Sequence, residues 1–236
     1  YDIAVPIINK LGISAFFFVY SSVFNDKTDL LEVYRYFRTS SYPCLDKFYR
    51  DFFEIVKEKN VDKYSKKLVK FSDLNYLSEF PFYSQNDKWF RFLRDHFLER
   101  DNYDKIMFDL MKMNNFDVEA AKRLLFMSSS DVLDISKKGH EIGLHSYSHP
   151  TQMNKLSRSQ QEYEYKSNYE QLTNLIAKPI TTMSHPCGSY NEDTLKILLK
   201  LNIKMGFRSS LSVKNIISNL EVPREDQANI LKKMFK

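Results

Sequence analysis

Three of the chain's five glycines stand at one recurring junction. The stretches NKLG before ISAFFFVY, SKKG before HEIGLHS and IKMG before FRSS each lead from a helical pattern with late lysines, at or near Gly12, Gly139 or Gly206, into an extended segment. Glycine adopts the left-handed backbone conformation that ends a helix. A chain that repeats helix, glycine and strand lays its strands side by side and parallel, because every return passes through a helix. Extended segments are predicted at Ile13–Tyr20, His140–His145, Ile180–Ser184, Ile203–Arg208 and Leu220–Arg224, alternating with helices at 159–177 and 191–201. The expectation is a parallel sheet or barrel with helices outside and chemistry at the carboxyl ends of the strands.

Residues 25–127 break this rhythm. Phe48, Phe52, Ile55 and Val56, and then Trp89, Phe92, Leu93, His96 and Phe97, recur with helical spacing. The segment reads as a helical insertion whose aromatic stripes form core or a subdomain interface, with His96 structural. It is also the surface through which a homo-oligomer would form. The net charge of +5 is spread along the chain. Its one local cluster (Lys57, Lys59, Lys63, Lys66, Lys67 and Lys70) is diluted by Glu54, Glu58 and Asp62, so it reads as a solvated helix face and not as a nucleic-acid site. The apolar run Ala15–Tyr20 is too short to cross a bilayer. Two cysteines, Cys44 and Cys187, build no disulfide framework and agree with a reducing compartment such as the cytoplasm. Neither GxGxxG nor a GKS/T phosphate loop is present, which argues against a dehydrogenase or a phosphoryl transferase.

Two stretches could carry chemistry. Alternation along HEIGLHS puts Glu141, Gly143 and His145 on one strand face, and His140, Ile142 and Leu144 on the other. His145 then projects from a strand end, and His149, after the Ser146-Tyr147-Ser148 turn and before Pro150, folds back towards it. Two neutral imidazoles so placed suit a divalent ion, and catalysis needs a third protein ligand and an open position. Taken alone, the pair is equally a structural one. In SHPCGSYNEDT, Pro186 and Gly188 make a rigid turn after a strand, Tyr190 follows in the same loop, and Asn191-Glu192-Asp193 caps the next helix. Backbone N–H groups of such a turn can face a developing oxyanion; an ordinary strand-to-helix loop is the alternative. Nothing nearby in sequence activates Cys187 as a nucleophile.

In this order the two stretches resemble the polysaccharide deacetylases, the NodB-homology or carbohydrate esterase family 4 fold. The resemblance covers residues 1–24 and about 128–230. GHEIGLHSYSH is similar to the family's metal-binding motif, which implies His145 and His149 as ligands, with Ser146 beside them. Pro186, Cys187 and Gly188 resemble the later motif whose backbone N–H binds the oxyanion. YDIAVPIINKLGISAFFFV is similar to the helix and second strand that follow the family's first motif, and LEVPRED to the end of the domain in members linked to sugar biosynthesis. The resemblance implies an α/β fold, a deformed (β/α)7-type barrel built from 1–24 and 128–236, with a first strand upstream of Tyr1 and the helical insertion 25–127 after the second. It implies a divalent metal, Zn foremost with Co, Ni or Fe as alternatives. The implied reaction removes an N-acetyl group from an amino sugar or an N-acetylated polysaccharide.

The family's Asp-Asp pair, which supplies the base and the third ligand, is expected a few residues before Tyr1. Ser184 stands where the family has Arg, His185 where it has Pro and Cys187 where it has an aromatic residue; no late Leu-x-His motif follows Asn191. Arg224, ending the last predicted strand, either replaces the missing Arg or pairs with Glu225 or Asp226. His185 either donates a proton to the leaving amine or packs beside Pro186. Glu141 either orients the ligands or is buried with a partner. Two further readings stay open: a deformylase of a lipid-linked or nucleotide-linked amino sugar, and an inactive carbohydrate-binding relative.

Overall fold

A computed structural model describes residues 1–25, 30–59, 66, 71, 76–77, 83–209, 211, 216, 218–225 and 227–234. The chain divides into two compact units, Tyr1–Asp29 with Phe126–Lys236, and Leu30–Leu125. Lys63, Lys67 and Lys70 of the predicted lysine cluster, and Asp226, lie outside the described residues.

The first unit begins with α1 (Ala4–Lys10) and β1 (Phe16–Val19), and resumes with α7 (Ser129–Lys137), β2 (Glu141–Leu144), α8 (Arg158–Ile176), β3 (Thr182–Ser184), α9 (Glu192–Lys200), β4 (Met205–Phe207) and α10 (Gln227–Met234). The four strands form one parallel sheet in the order β1-β2-β3-β4. Each new strand is added on the same side, as in a barrel wall; a doubly wound sheet would reverse direction partway. Register pairs Phe16 with Glu141 and Val19 with Leu144, then Leu144 with Met183, then Ser184 with Phe207. All four strands fall inside the predicted segments. The fifth segment is shorter than expected: Asn219–Glu221 is a 3-10 turn and only Val222 makes a parallel bridge, to Phe207.

One sheet face carries the core. Ile142, Leu144 and Met183 pack with Val132, Ile135, Tyr165, Leu172, Ile197 and Leu198 of the covering helices. Phe16, Phe18 and Phe207 gather as a separate aromatic cluster, with ring centroids 5.3–6.0 Å apart. Capping boxes start three helices: Ser128 with Asp131 on α7, Ser157 with Gln160 on α8, and Asn191 with Thr194 on α9.

The glycine junctions work as expected at two places of three. Gly12 and Gly139 have φ of +66° and +87°, just past α1 and α7. At the third, α9 is ended by Asn202 (φ +58°), and Gly206 lies inside β4. A Cβ on Gly206 would stand 2.5 Å from the Leu220 carbonyl oxygen, so close passage of the backbone, not helix termination, requires glycine there.

The second unit holds α2 (Leu31–Ser40), α3 (Leu45–Lys59), α4 (Gln85–His96), α5 (Arg100–Met113) and α6 (Val118–Leu125). Its core is aromatic: Phe37, Phe48, Phe52 and Phe90 are fully buried, with Phe48 and Phe52 centred 5.4 and 4.9 Å from Phe90. His96 is exposed and rests against Phe92 and Tyr76. Among the described residues no helix is long and apolar enough to cross a membrane.

Candidate active site

The carboxyl ends of β1 and β2 are tied together from α8. Asn168, fully buried, donates from Nδ2 to the Val19 carbonyl (3.0 Å) and to Ser21 Oγ (2.9 Å), and its Oδ1 accepts the His145 N–H (3.0 Å). One helical turn earlier, Glu164 accepts the N–H groups of Tyr147 and Ser148 (3.0 and 2.8 Å) and the Ser148 hydroxyl (2.6 Å). The turn after β2 is thereby held by a carboxylate already committed to it. Ser146 and His149 both take left-handed backbone conformations, φ +64° and +59°, and the His149 N–H donates to Ser146 Oγ at 3.1 Å. This tight turn returns His149 to His145, with ring centroids 4.8 Å apart. Tyr20 lies 5.5 Å from the His149 ring.

His145 Nδ1 is 2.8 Å from the Ser184 carbonyl oxygen, which can only accept, so Nδ1 carries the proton and Nε2 keeps its lone pair. Burial pushes His145 down to about 4, and the nearby charges of His149 and Arg224 act in the same direction against the bond to Ser184. At neutral pH the ring is therefore neutral, the form that ligates a metal, and its other nitrogen is anchored as metal-binding histidines are. The two imidazoles fit two ligand positions. Among the described residues no group of three His, Cys, Asp or Glu side chains could hold an ion.

The loop after β3 turns sharply. Pro186–Gly188 is a 3-10 turn, with Cys187 exposed at φ +52° and Gly188 at φ +67°. A Cβ on Gly188 would meet only the movable Ser209 hydroxyl, so the backbone angle, not the space, favours glycine there. The Gly188 and Ser189 N–H groups bond back to His185 and Pro186. No such bond involves the Cys187 N–H among the described residues.

Not all predicted site residues meet here. Glu141 is exposed at the amino end of β2, about 13 Å along the strand from His145 at roughly 3.3 Å per residue, so it is neither buried nor able to orient the ligands. His185 turns inward: it is 1% exposed, its Nε2 donates to the Leu220 carbonyl (2.8 Å), and Tyr190 stacks on it at 4.3 Å. Burial pushes His185 down to about 4. With its ring buried and its Nε2–H given to the Leu220 carbonyl, His185 packs inside the loop and is not presented to the turn surface. Pro186 is buried beside it. Tyr190 donates to Glu221 Oε1 (2.7 Å); burial and that bond push its hydroxyl up to about 12. Arg224 is exposed, and its charge reaches His145. His140 is structural: its Nδ1 accepts the Ala15 N–H (3.3 Å), so Nε2 donates to Asn9 Oδ1 (2.9 Å).

Glu164 and Asn168 were missed from sequence because polar residues within a helix read as its solvent side. The available signal was spacing: 161, 164, 165, 168, 172 and 176 fall on one face, and Tyr165, Leu172 and Ile176 mark that face as buried.

A parallel sheet wound in one direction, paired imidazoles at the end of one strand and a proline-glycine turn at the end of the next define an α/β domain of the NodB type. Residues 105–206 match the family model for polysaccharide deacetylase. Among solved structures, a Streptococcus pyogenes deacetylase in complex with acetate is 19% identical, with a TM-score of 0.40 over 55% of this chain and 64% of that one. A polysaccharide deacetylase from Bacillus cereus is 16% identical, with a TM-score of 0.38 over 47% and 37%. A family 4 carbohydrate esterase pseudoenzyme from Bacillus anthracis is 20% identical, with a TM-score of 0.31 over 32% and 26%. The chain thus spans less than two thirds of the length of each. No curated protein matches it.

Proposed function

We propose that the protein is a metal-dependent hydrolase that removes an N-acetyl group from an amino sugar or an N-acetylated glycoconjugate. The reading is carried by one observation: His145 and His149 face each other at the end of β2, with His145 Nδ1–H bound to the Ser184 carbonyl. His145 and His149 would hold a divalent metal, Zn, Co, Ni or Fe. Such an ion increases the acidity of water and polarises an amide carbonyl. The chain's own residues supply the rest. Glu164 and Asn168 fix the ligand turn. The Cys187 N–H, presented by the left-handed turn, offers a donor for negative charge developing on the amide oxygen. The exposed Arg224 adds positive charge beside His145 and favours a carboxylate partner in its ionised form.

The test measures bound metal by elemental analysis together with acetate and formate released from N-acylated amino sugars. Stoichiometric metal with acetate release, both lost in His145→Gln and His149→Gln, is the expected result. Formate in place of acetate would assign a deformylase. The second reading is an inactive carbohydrate-binding relative, in keeping with Ser184 and Cys187 where the family has Arg and an aromatic residue. Metal-free protein that binds oligosaccharide unchanged by chelator would establish that reading and end the first.

A further inference from the structure

Four arginines of the helical unit converge on one cavity. Arg35 and Arg38 of α2 and Arg91 and Arg94 of α4 line it together with Tyr34 and Tyr103, and its volume is about 20 Å³. That is room for one small polar group, not for a sugar ring.

The arginines are not equivalent. Arg94 is paired with Asp95 through two bonds of 2.6 and 2.9 Å, and Arg35 with Glu32. No carboxylate pairs with Arg38 or Arg91 among the described residues, and the Nε atom of each is buried without a hydrogen-bond partner. Neighbouring acids are engaged elsewhere: Asp87 accepts the hydroxyls of Tyr49 and Ser84, and Asp104 those of Tyr34 and, through its other oxygen, Arg100 Nε. Both unpaired guanidiniums are held by rings. Arg38 lies 4.9 Å from the centre of Phe90 and 5.5 Å from Phe48, and Arg91 lies 4.1 Å from Tyr83. Burial holds Arg38 below the usual guanidinium range, with the charge of Arg91 adding to the effect.

Asp87 acts on Arg38 only through its more distant charge. Two neighbouring cations with buried donors and no bonded carboxylate among the described residues are costly unless an anion joins them. Planar guanidinium forks match the oxygen spacing of a phosphate group, and a dianion offsets two charges at once. We infer that Arg38 and Arg91 form a binding site for a phosphate group within the helical unit. The cavity admits the phosphate end of a ligand, either free phosphate or the terminal group of a phosphomonoester. The site stands independently of the deacetylase reading.

The experiment titrates inorganic phosphate into the intact protein by calorimetry, with ionic strength held constant by chloride. One saturable phosphate per chain is expected, weakened about tenfold or more in Arg38→Gln and in Arg91→Gln. Should either variant fail to fold, phenylglyoxal labelling of the unaltered protein gives the same answer: phosphate protects Arg38 and Arg91, as read by peptide mass. Competition by a hexose 6-phosphate that displaces phosphate names the ester as ligand, and failure to displace it names the free oxyanion. No saturable binding, or binding that leaves the labelling of both arginines unchanged, overturns the site.

Discussion

Asn168 spends its whole side-chain amide on holding two strand ends, and no other residue type of its size offers two donors and an acceptor in that geometry. Asn168→Ala leaves the Val19 carbonyl and the His145 N–H unpaired, and a loss of about 3 kcal/mol in urea denaturation is expected. Asn168→Asp keeps the acceptor and can take a hydrogen bond from the Ser21 hydroxyl, but it leaves the Val19 carbonyl unpaired, so it should not fully restore stability. His185 allows a prediction in pH. Its folded value lies near 4, below its ordinary 6.5, so the unfolded chain takes up a proton first as the solution is acidified. Its contribution to stability is complete above pH 6.5 and falls by about 1.4 kcal/mol per pH unit down to about pH 4. The stability advantage of the protein over His185→Gln should therefore shrink by about 2 kcal/mol between pH 7 and pH 5. A constant difference would mean that His185 titrates alike in both states. From sequence, His185 and His145 looked alike, each a histidine closing an apolar strand. What separates them is which way the chain turns next, and that depends on Leu220 and Tyr190, which local spacing does not relate to His185.

At the scale of the elements, the helix-to-strand rhythm was legible because it is local: late lysines, a left-handed terminator and an apolar run lie within about a dozen residues. The same rule misread Gly206, since a terminator glycine and a glycine needed for close backbone passage look identical in sequence. Gly206→Ala should cost more than about 2 kcal/mol, because the added Cβ meets backbone, not a yielding side chain. Ala177 is the complementary case. It ends α8 at φ +52°, a conformation that disfavours any residue with a Cβ. Ala177→Gly should raise stability by about 1 kcal/mol, seen as a higher melting temperature. Glu141 shows a further limit of pattern reading: alternation assigns a residue to a face of the strand, but not to the end of the sheet at which that face is used.

At the scale of the molecule, the two compact units have cores of different kinds, aliphatic over a parallel sheet in one and stacked rings in the other. Phe48 is fully buried, and Phe48→Ala is expected to cost about 3–5 kcal/mol. Amide exchange should then accelerate within Leu30–Leu125 while Ile142, Leu144 and Met183 keep their protection. Equal loss in both units would show that they unfold as one. The sheet has a further consequence for how the chain finds its structure. β1 and β2 are neighbours, yet Ala15 and His140, at their base, are 125 residues apart. Drawing such distant ends together from a fluctuating coil is entropically slow. If the helical unit condenses first, the span still to be closed is several-fold shorter, and the saving is about 1 kcal/mol at roughly 0.6 kcal/mol per halving. The enclosed helices then set the pace at which the pocket of imidazoles can be assembled at all.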